Sequence, residues 1–210
     1  NFFKIHKCNL LNKKKLNKII KFLNPDIIIH LAAQSLVDEK INKKKYFDNN
    51  ILATRNLIEV MEINSIKNLI FSSTAAVYKY NNNSLKENNK VNPKSTYAKT
   101  KYLCEKIIKD SKLNNVILRF FNVCSALSKK KLIGEFHNPE THLIPTLVYK
   151  NLFKKKIYIY GNNYATKDGT CIRDYVHIHD ICSAIDKSIK LFKKDKNIKE
   201  LINIGGSNKL

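Results

Sequence analysis

Short apolar runs that alternate with stretches of helical periodicity constrain this 210-residue chain more than any other feature. Residues 27–32, 69–72, 116–121 and 201–204 are compact and rich in Ile, Leu, Val and Phe, the pattern of strands buried on both faces. Residues 2–8 and 157–160 read as further short strands. Helical spacing of apolar residues places helices at 13–23, about 49–63, 97 to about 112, near 143–152 and about 179–192. The first is stopped by Asn24 and Pro25. This alternation predicts an α/β fold, a Rossmann-like doubly wound parallel sheet. Such sheets bind ligands beyond the carboxyl ends of their strands, so polar residues there are the functional candidates.

The run 68–78 provides such an end: apolar residues give way to Ser72, Ser73 and Thr74. After a polar, Asn-rich loop comes a predicted helix with Tyr97 and Lys101 four residues apart. Positions i and i+4 share a helix face, so the phenol and the ammonium can enter one pocket. A tyrosine ionises near pH 10, and a fixed cation beside it favours the phenolate and makes a usable base. The Thr74 hydroxyl can complete a proton relay. A Tyr-x-x-x-Lys spacing arises easily among 39 Lys and Arg residues, and alone it describes a solvated helix with a snorkelling lysine. The strand end supplies the context that favours chemistry.

The formal net charge of +22 raises a nucleic-acid partner as a possibility. The lysines, however, fall in short clusters along the whole chain, with no aromatic-interleaved basic motif. The pattern implies a solvated basic surface and no specific nucleic acid, with a bias toward anionic nucleotides. Five cysteines lie scattered without a C-x-x-C pair, as reduced cytosolic thiols do. His177 and His179 have no ligand cluster around them in sequence, so no metal is expected. No run is long and apolar enough to span a bilayer, and the first residues do not read as a signal peptide. The expectation is a cytoplasmic protein with no membrane partner.

Residues 68–78 with Tyr97 and Lys101 resemble the extended short-chain dehydrogenase/reductase superfamily. Three further segments narrow the likeness: 30–37 with Asp48, Asn49 and Asn50; 134–145; and 168–180, which contains Arg173, Asp174 and Tyr175. Together they resemble the UDP-glucose 4-epimerases, also called UDP-galactose 4-epimerases, in register from about residue 5 onward.

That resemblance implies NAD as cofactor, a UDP-sugar as substrate, and oxidation at C4 to a 4-keto sugar that is reduced again on its other face. It implies Tyr97, Lys101 and Thr74 as catalytic residues. It places Ala32, Ala33, Asn50, Ser72, Tyr97, Lys101 and Phe121 at the cofactor, and Thr74, Asn122, His142, Leu143 and Arg173 at the substrate. It implies residues 1–125 as part of an NAD-binding domain and 126–210 as part of a smaller α/β substrate domain, with some segments returning to the sheet. It also implies a homodimer through the helices at 49–63 and 97–112.

The family's Gly-rich turn and its first two strands are not in the sequence, which reads as an internal fragment expected to be inactive alone. The chain also departs from the family's pattern. Asn9 replaces an aspartate, Ser35 stands where some members carry lysine, and Lys79 and Ser125 sit where glycine is frequent and could strain a turn. Related 4,6-dehydratases need an Asp-Glu pair directly after the threonine, where this chain has Ala75 and Ala76. Uronate epimerases and decarboxylases are nearer alternatives, and a noncatalytic binding protein is a third.

Overall fold

A computed structural model describes residues 3–36, 41–79, 84–126, 133–135, 137, 140–195 and 197–206. The chain divides into two compact units, Asn1–Phe120 with Ala184–Ile204, and Phe121–Ser183 with Gly205–Leu210.

The first unit is a parallel sheet of four strands, β1 (Ile27–His30), β2 (Asn68–Thr74), β3 (Asn114–Phe120) and β6 (Lys199–Ile204), in the order β1-β2-β3-β6. Register is set by pairs such as His30 with Phe71, Phe71 with Ile117 and Phe120 with Ile204. Successive strand side chains point to opposite faces. Leu69, Phe71 and Ile117 therefore join one cluster with Leu16, Leu57, Met61, Cys104 and Ile108, while Ile70, Val116 and Leu118 join another with Ile185, Ile189 and Phe192. Near-continuous apolar strands are the sequence consequence of that two-sided burial.

The helices on the first face are α1 (Lys13–Leu23), α2 (Lys43–Tyr46), α3 (Ala53–Ile63) and α4 (Thr96–Asp110). Asn12 caps α1 by accepting from the Lys15 N–H, and Asn24 ends it in the left-handed region, as the sequence implies. The helix expected from about Asn49 begins earlier, at Lys43, where Asn42 accepts from the Lys44 N–H. Between α2 and α3 the backbone runs as a π-helix, Phe47–Leu52. Such segments are rare and occur mainly at functional sites. Ser95 caps α4 by accepting from the Ala98 N–H at 3.1 Å.

Two expected strands are absent. Residues 3–8 and 157–160 are irregular, and the first residue of the 2–8 run lies outside the described residues. A strand exists through a ladder partner. Neither segment has one among the described residues, and Phe3, Ile5 and Tyr160 are almost fully exposed.

The second unit contains α5 (Leu143–Leu152), where the sequence places a helix, and a small parallel pair that the sequence did not reveal. That pair joins β4 (Asn122–Cys124) to β5 (Tyr175–His177), with Asn122 opposite Tyr175. Helix α6 (Ile178–Lys194) begins in this unit. Ser125 has φ of 90°, so the strain expected where relatives carry glycine is present; Lys79 shows no such strain. No helix among the described residues is long and apolar enough to cross a membrane.

Candidate active site

Tyr97 is the second residue of α4, and Thr74 is the last residue of β2. The Thr74 hydroxyl approaches the Tyr97 phenol closely enough to favour its ionised form. Thr74 also accepts from the Ala76 N–H at 3.2 Å, which caps a single turn of 3-10 helix at Ala75–Val77. A hydroxyl has one proton and two lone pairs. With a lone pair turned to the Ala76 N–H, the proton is free to point at Tyr97. The local cap and the relay are thus one arrangement, and both readings of Thr74 hold together.

Lys101 lies one turn further along α4 and is 3% exposed. Its Nζ sits 4.2 Å from the centroid of the Phe71 ring, and it makes no ion pair among the described residues. Burial lowers its pKa to about 8, opposed by Cys104 and Glu105. His30, at the end of β1, is buried and bonded through Nε2 to Thr54 Oγ1 at 2.9 Å. Burial first, then the Lys101 charge, lowers the His30 pKa to about 3, so this imidazole is neutral.

The expected depression of the Tyr97 pKa by Lys101 needs correction. Burial pushes Tyr97 above its ordinary value, and the group that opposes this is Thr74. The ammonium rests on Phe71, and desolvation of the phenol dominates.

The strand ends around this pair are pinned by side chains. Ser72 Oγ donates to the His30 carbonyl at 3.2 Å. Asn50, in the π-helix, is 1% exposed; its Oδ1 accepts from the Gln34 N–H at 2.7 Å and its Nδ2 donates to Thr100 Oγ1 at 2.9 Å. It holds the loop of Ala32 and Ala33, which follows β1. Ala32 is exposed and Ala33 half-buried, so this loop presents a small-residue surface. His30, Thr100, Glu105 and Arg119 were not singled out in the sequence, although a charged residue inside an apolar strand, as Arg119 is, was a usable signal.

The second unit carries Phe121, Asn122, His142, Leu143 and Arg173. Asn122 Nδ2 donates to the Asp174 carbonyl at 2.9 Å, so part of the amide expected at a diphosphate is already engaged. Arg173 is exposed and forms no ion pair with Asp174 or any other described residue. Asp174 instead accepts from the Gly206 N–H at 2.7 Å. Leu143 is exposed, and His142 precedes it at the start of α5. His142 Nδ1 meets Glu135 at 2.5 Å and Glu140 at 3.3 Å, and His137 Nδ1 meets Glu135 at 3.2 Å. The donor atoms of these four residues lie within 4.8 Å of one another, a group able to hold a metal ion. Sequence reading considered His177 and His179 and overlooked it. Imidazole–carboxylate pairing already satisfies all four side chains.

A doubly wound parallel sheet, with a Tyr-x-x-x-Lys helix packed beside a strand-end hydroxyl, defines a protein of the extended short-chain dehydrogenase/reductase type. A model of the NAD dependent epimerase/dehydratase family matches residues 2–205, and the chain belongs to that family. It is 40% identical over 212 residues to a UDP-glucose 4-epimerase of Mycoplasma genitalium, covering 94% of this chain and 61% of that protein. It is 38% identical to one of Lactobacillus helveticus, covering 90% and 59%. Among solved structures, a UDP-glucose 4-epimerase superimposes with a TM-score of 0.88 at 36% identity, over 99% of this chain and 64% of that one. The UDP-glucose 4-epimerase of Brucella ovis in complex with NAD gives 0.89 at 31%, over 98% and 65%. The chain thus spans about three-fifths of the length of these proteins.

Proposed function

We propose that this chain carries the catalytic centre of an NAD-dependent epimerase that interconverts UDP-glucose and UDP-galactose. The observation that carries the reading is the Thr74 hydroxyl acting on the Tyr97 phenol, one helical turn from a buried Lys101 that makes no direct ion pair among the described residues. An unpaired buried ammonium is costly unless a ligand meets it. The ribose hydroxyls of a nicotinamide nucleotide would do so, and in this respect the residues present fit NAD. The relatives and solved structures named above support the choice of reaction.

NAD, when bound, would supply the acceptor and then the donor of a hydride at sugar C4. Tyr97 accepts the proton of the 4-hydroxyl, with Thr74 bonded to both oxygens. The Thr74 hydroxyl and the positive end of α4 favour the phenolate against the burial that opposes it. Tyr97 returns the proton to the O4 oxygen as hydride re-enters C4 from the opposite face, so the cycle has no net redox change. Asn50 and Ser72 hold the strand ends that receive the cofactor, with Ala32 and Ala33 as a small-residue wall; the family's pattern adds Phe121. Arg173 suits the diphosphate, because a guanidinium stays charged and binds phosphate oxygens in pairs. Asn122, His142 and Leu143 complete the UDP side. The complete protein is read as a cytoplasmic homodimer.

The test is Tyr97→Phe in the complete protein, assayed with UDP-galactose. Turnover should fall at least 100-fold, the scale of general-base loss (about 10²–10⁴), with nucleotide affinity little changed. Wild-type turnover in the variant would remove Tyr97 as the base.

A further inference from the structure

Tyr97, Lys101 and Glu105 follow one another at four-residue intervals along one side of α4. Tyr97 and Lys101 carry the proposed chemistry, and Glu105 is the most buried of the three. It is fully enclosed, and Arg119 of β3 binds it in a fork, Nε to Oε1 at 2.9 Å and Nη2 to Oε2 at 2.6 Å. Ser73 Oγ donates to Oε1 at 2.5 Å. Arg119 is itself 1% exposed, its guanidinium 4.6 Å from the centroid of the Tyr78 ring, and Tyr78 is fixed by its hydroxyl to Asn203 at 2.7 Å.

A buried ion pair is a poor means of stabilising a fold, since apolar residues of like volume do as well or better. Its distinctive property here is geometric. One carboxylate ties α4 to two strands, and its tether on β2, Ser73, immediately precedes Thr74. Sliding α4 along the sheet would break three directed bonds at once, so the axial position of Tyr97 relative to Thr74 is fixed.

We infer that Glu105, held by Arg119 and Ser73, is a positioning residue for the proposed epimerase reaction. It sets the approach of the Thr74 and Tyr97 hydroxyls and presents a fixed negative charge to Lys101. The inference rests on the function proposed above.

The groups that face Lys101 are His30 from β1, the Phe71 ring from β2, and Cys104 and Glu105 from its own helix. His30 is neutral, and burial raises the Cys104 thiol above its ordinary range, so Glu105 supplies the negative charge among them. Without that charge Lys101 loses its proton at lower pH. A purely structural residue would change stability and leave the pH range of activity alone.

The experiment compares Glu105→Gln, Arg119→Lys and Ser73→Ala in the complete protein with wild type. It measures kcat and KM across pH, and Lys101 ionisation from the pH dependence of Tm against Lys101→Met in each background. For Glu105→Gln, kcat should fall about 100-fold, the scale of a 1 Å misplacement, with KM near wild type. Its active pH range should narrow on the alkaline side, and Lys101 should lose its proton at lower pH. Ser73→Ala keeps the ion pair and removes only the β2 tether, so kcat should fall without a change in pH range. That variant carries the test if Glu105→Gln does not fold. Arg119→Lys, which keeps the charge and loses the fork, should lie between the two. A wild-type pH range and wild-type Lys101 ionisation in folded Glu105→Gln, or unchanged kcat in Ser73→Ala, would overturn the inference. An inactive wild type would instead sink the functional reading, and the ionisation comparison would still decide the role of Glu105.

Discussion

Replacing Lys101 with methionine should make the protein more stable near neutral pH while removing its activity. Burial lowers the Lys101 pKa from 10.5 to about 8. At about 1.4 kcal/mol per unit, the folded state gives up about 3 kcal/mol to keep this ammonium charged. Contact with the Phe71 ring at 4.2 Å returns part of that, about 0.5–2 kcal/mol. Methionine keeps the length and the packing on Phe71 and carries no charge. The net gain is about 1–2 kcal/mol, a rise in Tm on the order of 5 °C for a chain of this size. The sign is tied to pH. Below about 8 the lysine is charged in both folded and unfolded chains and the whole penalty is present. Between about 8 and 10.5 the folded protein releases its proton first, so wild-type stability rises with pH and the advantage of the variant shrinks. Thermal melts of both proteins without nucleotide, at about pH 7 and about pH 9.5, measure this. A variant destabilised equally at both values would show that Lys101 is not held as a strained cation, and the cofactor argument built on it would fall.

His30 provides the acid counterpart. Its pKa falls from 6.5 to about 3, so wild type should lose stability as pH drops through that interval. His30→Gln should flatten the decline in Tm, and parallel declines would count against a buried neutral imidazole. Asn50→Leu removes the bonds to Gln34 and Thr100 and should cost about 1–3 kcal/mol for each polar group left unpaired. Hydrogen exchange at the Gln34 amide should accelerate in that variant; unchanged protection would show that the loop is held by something else. In Gly205→Ala the new Cβ would lie 2.5 Å from Asp174 Oδ2 and 3.0 Å from Phe121 Cδ2. A loss of about 1–3 kcal/mol is expected, and a wild-type melting curve would show that this packing is looser than described.

The alternation of apolar runs with helical spacing was sufficient to specify the parallel α/β sheet, because burial on both faces leaves a strand no polar positions. Asn24 and Pro25 marked the end of α1 for a local reason, since proline cannot continue a helix. The spacing of Tyr97 and Lys101 placed both on one side of a helix, since helix geometry is fixed by the backbone alone. Strands at 2–8 and 157–160 could not be judged from local pattern, because a strand is made by its partner. The π-helix around Asn50 and the β4–β5 pair were hidden for the same reason: both depend on neighbours distant in sequence. Electrostatics was the least legible part. Spacing alone set a cation four residues from Tyr97, but folding buried the phenol, laid Lys101 on Phe71, and left Thr74 as the group opposing the burial. Sequence determined which groups could meet; the packed interior, by removing water from around them, decided their charge.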